Sequence, residues 1–205
     1  MALKLRPAAL SDVEQLTDVF FSGFKNDAVM ALCFPEKPAV RRFWIEGLKE
    51  ALSDSDIHLV AVVATELPGE PVIAFANWVS PNNKPNSTRP LYPDSGDNKE
   101  LAAFYFPYLQ AQRTKNMAGR NCWYLAALVC HEDYQGKGAG GLLLRYGLNR
   151  ADEMAADVYL EASPPGVPIY KRFGFKEIDR VVVLDGQFTE LLMLRESPSN
   201  AAVKA

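Results

Sequence analysis

The densest chemistry in the chain lies at residues 135–141, where Gln135, Gly136, Lys137, Gly138, Ala139, Gly140 and Gly141 stand in a row. Glycines let a main chain approach a phosphate closely. The free amides that open a following helix, with its dipole behind them, then make an anion site, and Lys137 adds a charge. Taken alone, the run suits two cofactors. Gly136, Gly138 and Gly141 also satisfy the dinucleotide pattern G-x-G-x-x-G, and Glu161 follows about twenty residues later on a strand. Chain position separates the two. A dinucleotide fold wants the glycine turn directly off an early strand with several strand-helix units to come, whereas here Cys130 and Gly136 are separated by a gap and only about seventy residues remain. A P-loop fails more simply, because Lys137 is followed by Gly138 and not by the Ser or Thr that would ligate magnesium.

The elements that must hold this loop are legible around it. Residues 123–130 are a nearly continuous apolar run, as expected of a strand buried on both faces, and residues 138–154 carry Leu144, Leu148 and Ala151 at helical packing spacing. Residues 158–162 read as the next strand and 167–173 as a short helix. Residues 178–184 and 190–195 read as a hairpin turning at Asp185 and Gly186. Upstream, residues 3–5 form a short strand. Ser11 and Glu14 then make a capping box that opens a helix with Val13, Leu16, Phe20 and Phe24 on one face. Residues 26–38, with Pro35 and Pro38, read as a loop, and residues 39–52 as a second helix with Phe43, Trp44, Gly47 and Leu48 facing inward. Residues 57–65 and 72–78 form an antiparallel hairpin, rich in valine, isoleucine and aromatics. Residues 80–118 are expected as an insertion over one face: a Pro, Asn and Ser-rich excursion, then a helix over 99–115 that Pro107 should kink or split.

The totals bound the answer. A chain of 205 residues is expected as one domain, residues 1–196, with a disordered tail at 197–205. Its composition, 48% hydrophobic and 23% charged, excludes a disordered or low-complexity chain. The net charge of -3 with dispersed basic residues argues against a nucleic-acid partner. Three cysteines (Cys33, Cys122, Cys130) without ligand spacing and only two histidines (His58, His131) favour neither a disulfide framework nor a metal site. No apolar stretch is long enough for a signal peptide or a membrane span, so a cytoplasmic location without a membrane partner is expected. Asn86, Ser87 and Thr88 spell a glycosylation acceptor, read here as a polar loop.

The two motifs in order, Gln135-x-x-Gly138-x-Gly140 after a strand and Tyr170-x-x-x-Gly174-Phe175 after the next, resemble the GNAT acyltransferase family. The residues from Tyr159 to Ser163, with Gly166, resemble fungal members of unassigned substrate. The resemblance implies an α/β fold with a mixed, largely antiparallel sheet flanked by helices, splayed at a central parallel strand pair to admit CoA. It implies an acetyl-CoA-dependent N-acetyltransferase without a metal, moving acetyl directly to a primary amine of a small molecule or peptide in a ternary complex. A homodimer is left open. In such enzymes the loop amides of Gly136, Lys137, Gly138, Ala139, Gly140 and Gly141, opened by Gln135, hold the pyrophosphate. Leu128, Val129 and Cys130 pair with the pantetheine arm, the Val129 amide is expected as oxyanion donor, and one such donor is worth about 3–4 kcal/mol. Tyr170 matches the general acid that protonates the departing thiolate. The acceptor ammonium, of pKa about 10, must also lose a proton at a cost of about 4 kcal/mol at pH 7. Some members carry a glutamate near the place of Tyr124, but this chain has no carboxylate at 123–130. Glu161 is the first candidate base, followed by Asp27 and Asp133. Ser163 and Gly166 stand where many relatives have Asn and Ala. The rival from another class is a non-catalytic acyl-CoA sensor that keeps the cleft and lacks the base.

Overall fold

The alternating strands assemble into one seven-stranded sheet. A computed structural model describes residues 1–81 and 89–199; the Asn86 acceptor and residues 200–205 of the expected tail lie outside the described residues. The strands are β1 (Leu3–Pro7), β2 (Ile57–Ala64), β3 (Val72–Val79), β4 (Cys122–Cys130), β5 (Asp157–Ala162), β6 (Lys176–Val183) and β7 (Phe188–Arg195), in the order β1-β2-β3-β4-β5-β7-β6. Only β4 and β5 run parallel; every other neighbouring pair is antiparallel. The β6–β7 hairpin turns through Leu184 and Asp185, both at positive φ, and Gly186.

Period-two alternation sends side chains to two cores. One face carries Leu59, Ala61, Phe75, Tyr159 and Leu192 under α1 (Val13–Phe24), α2 (Ala28–Cys33), α3 (Pro38–Ser53) and α4 (Lys99–Met117). The other carries Val60, Val62, Ile73, Trp78 and Leu160 under α5 (Ala139–Glu153) and α6 (Val167–Arg172). On that second face Gly147 admits the Trp78 indole, since a Cβ there would lie 2.2 Å from the ring, and Trp78 Nε1 donates to the Leu143 carbonyl at 3.3 Å.

Several local expectations are corrected. The first helix is opened by a short 3-10 turn and by Asp12, not by a Ser11–Glu14 box. Asp12 accepts the Ala9 amide at 2.8 Å and the Arg6 guanidinium at 2.6 and 2.8 Å, a bidentate pair that the strand supplies only after folding. The stretch read as a loop at 26–38 contains α2, capped by the Asp27 carboxylate on the amides of Val29 and Met30. Pro107 does not split the helix it sits in; α4 runs from Lys99 to Met117. Ser197, assigned to the tail, is fully buried with its amide on Asp157.

Candidate active site

The strand expected to be buried on both faces is enclosed mainly in its first half, with Val129 alone buried beyond it. Cys122, Trp123 and Leu125 are enclosed, whereas Ala126 is exposed and Ala127 and Leu128 are half-buried. Pairing explains this. The β4–β5 ladder runs from Cys122↔Asp157 to Leu125↔Leu160 and then stops, although both strands continue. At the same place Asn77 pairs with Ala127 and Trp78 with Leu125, so Ala126 is an extra residue that bends β4 away. The two strands fork there.

Which amides face the fork follows from the register. The His131 amide donates to the Ile73 carbonyl at 2.9 Å, and Cys130 stands opposite Ala74, Val129 opposite Phe75 and Leu128 opposite Ala76. Antiparallel pairs alternate between bonded and non-bonded, so the bonded set is His131, Val129 and Ala127. The Val129 amide is therefore turned to β3, which corrects the expectation that it serves as oxyanion donor. The amides of Leu128 and Cys130 face the fork instead. Val129 contributes packing: its side chain fills the space that a Cβ on Gly23 of α1 would take, at 2.4 Å.

Beyond Cys130 a 3-10 turn (Glu132–Tyr134) leads into the glycine run. Gly136 and Gly138 adopt φ of +74° and +96°, which a side chain would strain, and the space a Cβ would enter is open at both. Gly138 caps α5, whose first amides, those of Ala139, Gly140 and Gly141, have no partner within the helix. At Gly140 a Cβ would lie 3.2 Å from Ile169 and 3.6 Å from Leu128, so the helix start closes tightly between β4 and α6. Gln135 Nε2 donates to the Cys130 carbonyl at 3.2 Å and braces the strand end. Lys137 does not turn into the loop. Its ammonium donates to the Asp133 carbonyl at 2.7 Å and lies 4.9 Å from the Tyr134 ring centroid. His131 Nδ1 accepts the Asp133 amide at 3.3 Å and so closes the turn that leaves β4.

Tyr170 lies in α6, only 7% exposed, with its ring edge-on to Phe175 at 5.8 Å. Burial, and then the charge of Glu190, hold its hydroxyl well above the usual phenol range, so it stays a proton donor at every physiological pH. Gly166 makes room for it: a Cβ there would sit 2.9 Å from Tyr170 Cε2.

On the opposite face of the sheet three carboxylates converge. Glu161 of β5 is half-buried as a residue, but its side chain is enclosed, with Arg113 of α4 at 3.6 Å from its Oε1; burial raises its pKa while Arg113 opposes the rise. The same guanidinium lies 4.2 Å from the Tyr124 ring centroid. Asp27, between α1 and α2, is also raised by burial despite its two amide bonds. The third, Glu190 of β7, was not among the sequence candidates. It is 6% exposed, has an Oε2 without a hydrogen-bond partner, and is pushed up to about 8 by burial, opposed by Tyr105 and reinforced by Asp27 and Glu161. Its sequence signal was a carboxylate at an inward position of an alternating strand, in phase with Phe188, Leu192 and Leu194. Asp133, the last candidate base, is exposed beside the glycine run, apart from this chamber. Among the described residues no cluster of His, Cys, Asp or Glu could hold a metal ion, and no helix is long and apolar enough to cross a membrane.

Comparison with known proteins agrees with this geometry. Residues 103–189 match the family model described as an acetyltransferase (GNAT) domain. The chain is 24% identical to an acetyltransferase of Stachybotrys chartarum, covering 88% of this chain and 84% of that one. It is 23% identical to an uncharacterized N-acetyltransferase of Schizosaccharomyces pombe, covering 96% and 90%. Its fold matches the PaiA N-acetyltransferase of Thermoplasma acidophilum, solved with coenzyme A, with a TM-score of 0.61 over 96% of this chain and 99% of that one at 16% identity. The forked parallel pair and the glycine-opened helix agree with these matches: residues 103–189 carry the match to an acetyltransferase (GNAT) domain, and the chain is similar to acetyltransferases over most of its length and shares their fold.

Proposed function

We propose that the protein moves acetyl from acetyl-CoA directly to a primary amine of a small molecule or peptide, within a ternary complex. The fork between β4 and β5 carries this reading, because it joins the two faces of the sheet at one point. On one side are strand-edge amides and the start of α5; on the other are Asp27, Glu161 and Glu190. A carboxylate-lined chamber favours an acceptor that arrives as an ammonium ion.

In this reading the amides of Gly136 to Gly141 hold the pyrophosphate, and the edge of β4 at Leu128 and Cys130 pairs with the pantetheine arm. One of those two fork-facing amides polarises the thioester carbonyl. The amine attacks the carbonyl carbon, the adduct collapses with cleavage of the C–S bond, and the Tyr170 hydroxyl gives its proton to the sulfur. Glu161, with Arg113 as counter-ion, keeps negative charge beside the acceptor. All three cysteines are free thiols, in keeping with a cytoplasmic location, and the residues up to and including the buried Ser197 act as one catalytic domain.

Initial-rate kinetics with acetyl-CoA against a panel of alkylamines, amino sugars and peptides, read as CoA release, test the proposal. Intersecting double-reciprocal lines are expected for at least one amine. Parallel lines with an isolable acetyl-enzyme, or no release with any amine, would overturn it.

A further inference from the structure

The reaction needs an acceptor for the ammonium proton, and the three carboxylates of the chamber are not equivalent. Resting on the amine reading above, we infer that Glu190 is the general base, and that Glu161 and Asp27 flank it as fixed charge.

The register places Glu190 in the chamber. Glu161 stands opposite Leu192 and Tyr159 opposite Leu194, and Tyr124 stands opposite Tyr159. Glu190, two residues before Leu192, therefore projects from the same face as Tyr124, Tyr159 and Glu161. Arg113 lies against Glu161, and Asp27 is engaged as the cap of α2 with both bonds on one oxygen. Among the described residues Glu190 has neither an ion-paired cation nor a capping role. Its Oε2 is enclosed and lacks a hydrogen-bond partner among the described residues; Glu161 Oε1 shares that lack, but has the Arg113 guanidinium at 3.6 Å, so Glu190 is the one whose costly arrangement a bound ammonium would relieve. The groups facing it on its own side of the sheet are Tyr105 of α4, Asp27 before α2 and Glu161 of β5, and Tyr170 of α6 feels its charge from the other side; across the β6 ladder stands the apolar Val181. Tyr170 senses the charge of Glu190, so the acid and the base lie within electrostatic reach of one another. A carboxylate poised at about 8 suits proton transfer near neutrality, where a base works best with a pKa close to the operating pH.

The protons balance. The ammonium gives one proton to Glu190, which frees the nitrogen lone pair for attack on the thioester carbon. As the C–S bond breaks, the Tyr170 proton goes to sulfur, and the second proton leaving nitrogen restores the phenol. Glu190 then releases its proton to solvent, and the products are the acetamide and CoA thiol.

The test compares kcat/KM against pH for the wild type, Glu190→Gln and Glu161→Gln with two acceptors, an alkylamine and an arylamine already neutral at pH 7. The wild type should show an acid limb near pH 8 with the alkylamine. Glu190→Gln should abolish that limb and lower the rate by about 10²–10³-fold with the alkylamine, but by only a few-fold with the arylamine. Glu161→Gln should keep the limb. CoA-induced thermal stabilisation reports whether each variant is folded. Should Glu190→Gln fail to fold, Tyr105→Phe replaces it: removing the hydroxyl that lowers the Glu190 pKa should shift the limb to higher pH. A surviving limb in Glu190→Gln, equal losses with both amines, or an unmoved limb in Tyr105→Phe would overturn the assignment while leaving amine transfer intact. Absence of turnover with every amine in the wild type would remove the amine reading, and this assignment with it.

Discussion

At the open end of β4 the working groups are main-chain amides, while on the other face of β5 and β7 they are side chains drawn from four separate segments. The amide half is contiguous: Leu128, Cys130 and the run Gln135 to Gly141 lie within fourteen residues of sequence, and a single bulge at Ala126 exposes them. The carboxylate half gathers Asp27, Tyr105, Arg113, Glu161 and Glu190 across most of the chain. The comparison teaches that backbone recognition tolerates substitution around it but needs particular dihedrals. A buried carboxylate cluster needs particular partners and responds to pH.

The largest effect expected is on the step where the halves meet. Tyr170→Phe should lower kcat by about 10²–10⁴-fold while CoA still stabilises the fold; stopped-flow CoA release with calorimetric binding checks this, and unchanged turnover at all pH values would remove Tyr170 from the chemistry. Next, Arg113→Met leaves Glu161 buried without its cation. Unfolding free energy at pH 8 should fall by about 3–5 kcal/mol, and by less at pH 5 where Glu161 is more readily protonated. Denaturant titration at the two pH values reads it, and equal losses would mean that Arg113 matters only for packing. On the amide half, Gly138→Val places a β-branched residue at φ +96°. The strain of about 1–3 kcal/mol should raise KM for acetyl-CoA by tenfold or more with KM for the amine nearly unchanged. A matching rise in both would blur the division between the halves.

The smallest effect is on stability alone. The Glu190 pKa is raised in the fold from 4.5 to about 8, so its contribution is fully present below about pH 4.5 and is lost as pH rises through about 8. Thermal melts of Glu190→Gln should match the wild type most closely at low pH and gain relative stability toward pH 9, each kcal/mol appearing as about 2–4 °C. A constant difference across that range would deny the titration.

Strand-loop-helix order, the positive-φ glycines at the start of α5 and the placement of Tyr170 in a short helix were legible in the sequence because each rests on local rules: apolar runs, glycine conformation and motif spacing. Less local features were not. The Ser11–Glu14 box lost to Asp12 because Arg6 of β1 arrives only through the sheet, and α2 escapes a sequence reading because it is a helix of only six residues closely followed by Pro35 and Pro38. Glu161 was found from its strand. Glu190 was passed over, since an inward carboxylate in an alternating strand acquires meaning only when other charges are placed around it.

By itself, then, the sequence determined the amide half, whose proposed role as the CoA site resides in consecutive main-chain groups. Tertiary structure alone decided three things. Register and the Ala126 bulge turn the amides of Leu128 and Cys130, and not that of Val129, to the fork. The packing of α4 over β5 joins Arg113 to Glu161. Enclosure of Glu190 beside Asp27 and Glu161 raises its proton affinity. Hydrogen-bond direction along a strand depends on its partner, and the pKa of a carboxylate depends on burial and neighbouring charge, so neither is a property of one residue or its sequence neighbours.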